Sequence, residues 1–146
     1  MPLPPGFAVS TDPTRIDLDY VHHYLSTLSY WAGGIPRDVV ARSIENSLAF
    51  GLYSDAGAQV GFARVITDKA TFAWLADVFI DPSMQGRGLG KGLMDVIFAH
   101  PELQGLRRFM LVTLDAHGLY RQYGFDTPPN PERLMAILRS NLYPAP

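Results

Sequence analysis

"PSMQGRGLGKGL", residues 82–93, places glycines at 86, 88, 90 and 92 directly after a strongly apolar run. A glycine inside a helix costs about 1 kcal/mol relative to alanine, so this stretch is a poor way to begin one. Yet "LMDVIFAH" follows, Leu89, Leu93, Met94 and Ile97 keep helical spacing, and Pro101 ends the pattern. The glycines therefore fall on a strand-to-helix turn and on the first turn of the helix. There the backbone N–H groups lack intrahelical partners, and the macrodipole concentrates ~0.5 of a positive charge. Glycine reaches positive φ and lets a bulky anion approach the backbone. Such a turn suits phosphate oxygens. Tight packing of helix on strand is the plainer explanation, but it seldom needs alternating glycines.

Upstream lies "FAWLADVFI", residues 72–80, with apolar side chains at both alternating sets of positions. Phe72, Trp74, Ala76, Val78 and Ile80 are expected on one face, and Ala73, Leu75, Asp77 and Phe79 on the other. A strand apolar on both faces is covered on both sides. Asp77 interrupts it, and a buried carboxylate needs a hydrogen-bond partner, a raised pKa or a solvated cleft. A structural hydrogen bond to a neighbouring loop and a place in a functional cleft both satisfy that need. Before this strand, "LAFGLYS" and "QVGFARVIT" flank a turn at "DAGA", and "DKAT" makes the next turn. These connections are too short for crossover helices, so the strands form an antiparallel meander.

Further out, "FAV" at 7–9 reads as a short strand, and "DLDYVHHYLSTL" as a helix capped by Asp17. "GGIP" at 33–36 breaks the chain before a second helix through about Ser47. "RRFMLVTL" is a fifth strand, and residues 1–6 read as a frayed tail. The 146 residues contain no repeat or low-complexity run, which points to a single α/β domain over 1–146. With 47% hydrophobic and 18% charged residues the composition is globular. No apolar run reaches the ~18 residues a membrane span needs, and "MPLPPGF" lacks the features of a secretory signal. A cytoplasmic protein is the expectation. A net charge of −2 gives no electrostatic reason to expect nucleic acid. The chain has no cysteine, which removes disulfides, thiolate metal sites and a cysteine nucleophile. His22 and His23 are helix neighbours roughly 100° apart and cannot chelate one ion, so no metal site is expected.

The phosphate motif can be narrowed. A Walker A loop fails, because Gly92 follows Gly90-Lys91 and Gln85 stands where the first glycine should be. The dinucleotide pattern G-x-G-x-x-G fails too, since its third glycine would fall on Lys91 or Leu93. What fits is Q-x-x-G-x-G, with Gln85, Gly86, Arg87, Gly88, Leu89 and Gly90 after "VFIDP". This resembles the acyl-CoA-binding motif of the GCN5-related N-acetyltransferase (GNAT) superfamily. "LYRQYGF", residues 119–125, is similar to the family's segment after its fifth strand, with Tyr120 and Gly124-Phe125 in register. The order of elements over about 7–125 agrees as well.

The resemblance implies a mixed, mostly antiparallel sheet whose central strands splay apart, with flanking helices. It implies that the backbone from Gly86 to Lys91 cradles the diphosphate of acetyl-CoA. Val78, Phe79 and Ile80 would hydrogen-bond the pantetheine arm as an added strand would. The reaction implied is transfer of an acetyl group from acetyl-CoA to a primary amine of a small molecule or peptide, by direct attack in a ternary complex. Tyr120 occupies the position of the general acid that protonates the leaving thiolate. Its alternative is a packed aromatic of a short helix. Family members often place the base on the fourth strand, where Asp77 is the one acidic residue.

The chain also departs from the family. Where relatives carry an asparagine before the tyrosine, this chain offers Asp115 and His117. His117 either touches CoA or caps the following helix. The last two strands are truncated, leaving at most Leu134 to Leu138. Tyr30 and Trp31, beside a flexible break, suit a wall of the acceptor pocket or ordinary core packing. A non-catalytic acyl-CoA-binding module on the same fold is the rival reading, and the chain is compatible with a homodimer.

Overall fold

The structure is a computed structural model and describes residues 3–143. Asp68 sets the turn that organises the sheet. Its carboxylate accepts hydrogen bonds from the Thr71 hydroxyl and from the backbone N–H groups of Thr71, Ala70 and Phe72. Those bonds, the Thr71 hydroxyl first, hold its carboxyl well below the usual aspartate range. The turn joins β3 (Gln59–Thr67) to β4 (Phe72–Ile80). With β1 (Phe7–Ser10), β2 (Leu48–Ser54) and β5 (Arg108–Met110), they form a sheet in the order β1-β2-β3-β4-β5. β1 to β4 pair antiparallel, and β5 joins β4 in parallel.

One irregularity in β4 governs everything beyond it. The register runs from Thr67↔Ala73 to Arg64↔Ala76 and resumes at Phe62↔Phe79, so β4 carries one extra residue. Asp77 sits there in the left-handed region, at φ 54°, which makes a β-bulge. The expected alternation therefore holds only up to the bulge. Ala73 and Leu75 pack with Leu93, Met94 and Ile97 of helix α3 (Leu89–Ala99). Phe79, expected on the same face as these two, instead lies on the opposite side with Val21, Leu25 and Val40. Val78 and Ile80 take its place beside α3. A one-residue slip exchanges the faces of a strand, and the bulge is that slip.

The opposite side is covered by α1 (Leu18–His23) and α2 (Arg37–Glu45). Asp17 caps α1 by accepting the Tyr20 N–H at 3.0 Å. α1 runs on as a wider π turn over Tyr24–Leu28. A short helix α4 (His117–Arg121) follows β5. It is anchored to α3 by the Tyr123 hydroxyl, which donates to Asp95 Oδ1 at 2.6 Å and lies 2.9 Å from the Lys91 carbonyl.

Three expectations need correction. β5 stops at Met110 rather than extending through "RRFMLVTL". Its pairing with β4 ends at Trp74↔Met110, and among the described residues no strand pairs with its other edge. No strand forms over Leu134–Leu138 for the same lack of a partner. Within the expected tail, Leu3 packs with Leu52, Val60 and Leu89, and residues 1–2 lie outside the described residues. Leu3 lies against Gly92, where an added Cβ would approach Leu3 Cδ2 to 2.7 Å. Gly92 is thus a packing glycine.

Candidate active site

The remaining glycines divide their work. Gly86 and Gly88 sit at φ 81° and 77°, and a Cβ on either would meet no atom within 4 Å. Their backbone demands glycine, and the space in front of them is open. Gly90 lies in the first turn of α3, where a Cβ would come no closer than 4.0 Å to Ile80. Gly88 is the N-cap of α3 and no side chain caps that helix. Its first N–H groups therefore face the open space unpartnered. Gln85 ties the turn to the end of β4 through Nε2 and the Ile80 carbonyl, at 3.3 Å. Arg87 is exposed and Lys91 half-buried. Leu89 is buried, so it faces this space only through its backbone.

The second component is a cleft. β4 and β5 pair only from Phe72↔Arg108 to Trp74↔Met110. Beyond that, among the described residues, no strand lies beside the β5-facing edge of β4, which includes Val78, Phe79 and Ile80. The Phe79 ring stacks on Tyr24 at 3.8 Å, which leaves its backbone as the part that can face a ligand. A cavity of about 390 Å³ opens here. Tyr30, Trp31, Asp77 and Tyr120, which come from distant parts of the sequence, all line it.

Asp77 is held from two directions. The Arg64 Nε–H donates to Oδ2 at 2.9 Å, and the Trp31 indole N–H donates to Oδ1 at 2.8 Å. Their ion pair is largely shielded, with 15% of the Arg64 side chain and 11% of that of Asp77 exposed. The structural hydrogen bond and the cleft position are therefore both present. Each carboxylate oxygen still has a second lone pair. Tyr30 accepts the Leu114 N–H at 3.2 Å, so the Tyr30-Trp31 segment straps the cleft from Asp77 to the chain after β5.

Tyr120 is buried, and burial raises its phenol above the ordinary value, with the charges of Tyr30 and Asp115 acting in the same direction. Among the described residues no hydrogen bond engages its hydroxyl. It is thus a protonated, uncommitted donor at neutral pH. His117 does not cap α4. The N-cap is Ala116, whose N–H donates to Thr113 Oγ1. His117 is exposed and lines a neighbouring cavity of about 300 Å³, which shares Tyr120 but does not contain Asp77.

Sequence reading missed Arg64, Trp74 and Thr113 in or beside the cleft. Arg64 had a signal. It is the one charge in "QVGFARVIT", and pairing the hairpin about its turn brings it opposite Ala76, next to Asp77. Trp74 and Thr113 line the cavity where the pairing of β4 and β5 ends.

Among the described residues no helix is long and apolar enough to cross a membrane. A family profile described as an acetyltransferase (GNAT) domain matches residues 45–127. Serotonin N-acetyltransferase 2 of Oryza sativa subsp. japonica, a chloroplastic protein, is 32% identical over 143 residues, covering 92% of this chain and 69% of that relative. A crystal structure of a GNAT-family protein from Xanthomonas campestris pv. campestris superposes with a TM-score of 0.93 at 52% identity, covering 97% of this chain and 99% of the other. The fold is shared with a Mycobacterium tuberculosis protein solved in complex with CoA, at a TM-score of 0.66 and 17% identity over 84% of this chain and 73% of that one. With an open five-strand sheet, a glycine turn at an uncapped helix and a cleft between β4 and β5, the chain belongs to the GNAT family of acetyltransferases.

Proposed function

We propose that the protein transfers an acetyl group from acetyl-CoA to a primary amine by direct attack within a ternary complex. The observation that carries this reading is the convergence of Tyr120 and Asp77 on one cavity, beside the unpaired edge of β4. The turn Gly86–Lys91 suits a diphosphate, because its backbone is open and its helix uncapped. The exposed edge of Val78–Ile80 suits the amide-bearing arm. Acetyl-CoA supplies the activated thioester carbonyl. Asp77 receives a proton from the incoming ammonium through its remaining lone pairs, directly or through water. Tyr120 donates its proton to the departing thiolate. His117 has less support as a cofactor contact than the backbone groups, because it lies in the neighbouring cavity.

The acceptor is an amine on a flat apolar body. Tyr30, Trp31 and Trp74 offer aromatic surface to it, and Asp77 offers a negative charge to its ammonium. Serotonin, named in the rice relative, is an amine of that class. A cytoplasmic setting rests on the sequence alone, and that relative is chloroplastic. The test is release of CoA thiol from acetyl-CoA with arylalkylamines, polyamines, amino acids, aminoglycosides and short peptides, with acetylated product identified by mass. Amine-dependent release, strongest for arylalkylamines, is expected. Release that no amine accelerates would favour the non-catalytic acyl-CoA-binding module.

The cradle makes its own prediction. Gly88→Ala forces a side chain into a left-handed position, at a cost of roughly 1–2 kcal/mol. It also narrows the open space in front of α3. Acetyl-CoA affinity should fall more than tenfold, which is over ~1.4 kcal/mol. Gly57→Ala is the control, because Gly57 has φ 86° with nothing within 4 Å of its Cβ position, in the distant β2–β3 turn. It should lose similar stability and keep its affinity. Equal affinities for both variants would remove Gly88 from the cradle.

A further inference from the structure

Two carboxylates line the cavity that holds Tyr120, those of Asp77 and Asp115, and they are not equivalent. Asp77 faces the Arg64 guanidinium at 2.9 Å, so its charge is already matched within the protein. The Trp31 indole N–H adds a second donor to it. Asp115 has no such company. It is exposed, and among the described residues nothing donates to it or forms an ion pair with it. It does not serve the adjacent helix either, because no side chain caps α4.

The neighbours of Asp115 fix its place. The Leu114 N–H donates to the Tyr30 hydroxyl at 3.2 Å, and the Ala116 N–H to Thr113 Oγ1 at 3.0 Å. The backbone on either side is thus tied down, while the carboxylate stays uncommitted. Among the described residues no basic side chain lines this cavity. Arg64 is turned to Asp77 and to the Ser47 hydroxyl, and His117 and Arg121 line the neighbouring cavity. Arg64 and Asp77 cancel, so Asp115 leaves the cavity with an excess negative charge. That charge helps to raise the Tyr120 phenol, so it is felt at the reacting end. The rings of Tyr30, Trp31 and Trp74 line the same space, and aromatic faces also attract cations.

We propose that Asp115 selects the acceptor by charge, docking the ammonium of a monocationic amine and disfavouring amines that carry a carboxylate beside the nitrogen. This deepens the acetyl-transfer reading and rests on it for the role of the bound amine. The two carboxylates then divide the work according to their surroundings. Asp115 holds the cation, and Asp77 takes its proton through the lone pairs that Arg64 and Trp31 leave free. The proton passes from the ammonium nitrogen to the Asp77 carboxylate. The neutral amine left behind is no longer held by Asp115 and is free to attack. An α-amino acid brings its own carboxylate to the same wall, and like charges repel more strongly there than in open water. The favoured acceptor is accordingly an arylalkylamine such as phenethylamine, and the disfavoured one its carboxylated counterpart, phenylalanine.

Tryptophan fluorescence tests this without turnover. The chain has two tryptophans, and both line the cavity, so a bound amine changes their emission. Phenethylamine and phenylalanine are titrated into the full chain saturated with CoA. Wild type should bind phenethylamine at least tenfold more tightly than phenylalanine, or ~1.4 kcal/mol. Asp115→Asn should weaken phenethylamine by a similar factor and bring the two ligands close together. Asp115→Glu keeps the charge and should keep the preference. Asp55→Asn makes the same change of net charge in the distant β2–β3 turn and should bind as wild type does. Asp115 is exposed and unpartnered, so its variants keep the fold, which circular dichroism verifies. Wild type that does not prefer phenethylamine, or an Asp115→Asn variant that retains the preference, would overturn the proposal. A preference set by Asp115 in a protein that acetylates no amine would support it and overturn the catalytic reading instead.

Discussion

Tyr120→Phe is expected to lower kcat by about 100-fold while the KM for acetyl-CoA stays nearly constant. The substitution removes a hydroxyl and keeps the ring, which stands edge-on to Phe125 at 5.9 Å, so the packing of α4 survives. The hydroxyl has no hydrogen-bond partner to lose among the described residues. Its absence can therefore be felt only by whatever occupies the cavity. Burial raises the phenol, so wild-type Tyr120 remains a proton donor well into alkaline solution. The deficit should consequently persist as pH rises. Single-turnover measurements, in which product release cannot mask chemistry, are the check. An unchanged rate would remove Tyr120 from proton transfer and leave water to protonate the thiolate.

Asp77→Asn should also lower kcat/KM about 100-fold at neutral pH, but with a different pH dependence. Asparagine is the suitable replacement, because it tolerates the left-handed backbone that Asp77 adopts at φ 54°. If Asp77 takes the proton of the ammonium, raising the pH toward the ~10.4 of an alkyl amine supplies the free base without it. The deficit should then shrink steadily across that range. The variant also leaves Arg64 without its carboxylate in a shielded position. Thermal unfolding should accordingly fall relative to wild type, and rates should be compared below the melting range. A deficit constant with pH would mean that Asp77 acts by holding Arg64 and Trp31, as a positioning residue.

The strand boundaries of the meander were legible because its turns are short and their chemistry explicit. Asp68 and the neighbouring "KAT" leave little freedom for β3 and β4 to pair otherwise. The bulge was not legible, because a period of two describes a regular strand and Asp77 gives no local sign of its left-handed backbone. That omission propagated, misplacing Phe79 relative to Ala73 and Leu75. The early end of β5 was not legible either, because nothing in "RRFMLVTL" marks Met110 as the last residue that pairs with β4. The glycine turn was legible as a group but not glycine by glycine. Gly92 serves a contact with Leu3 that only the tertiary structure brings about. Tyr30 and Trp31 were readable as aromatics beside a break, whereas their bonds to Leu114 and Asp77 span 84 and 46 residues.

Calorimetric titration with acetyl-CoA, CoA and ATP tests the central claim most directly, namely that the glycine turn and the cleft beside β4 form one binding site. A diphosphate cradle alone would accept any of the three, because each carries one. A site that also uses the edge at Val78–Ile80 requires the pantetheine arm, which ATP lacks. The account predicts saturable binding of acetyl-CoA and CoA at one site per chain, with ATP at least tenfold weaker, or ~1.4 kcal/mol. Equal affinity for ATP, or no binding of acetyl-CoA, would contradict it.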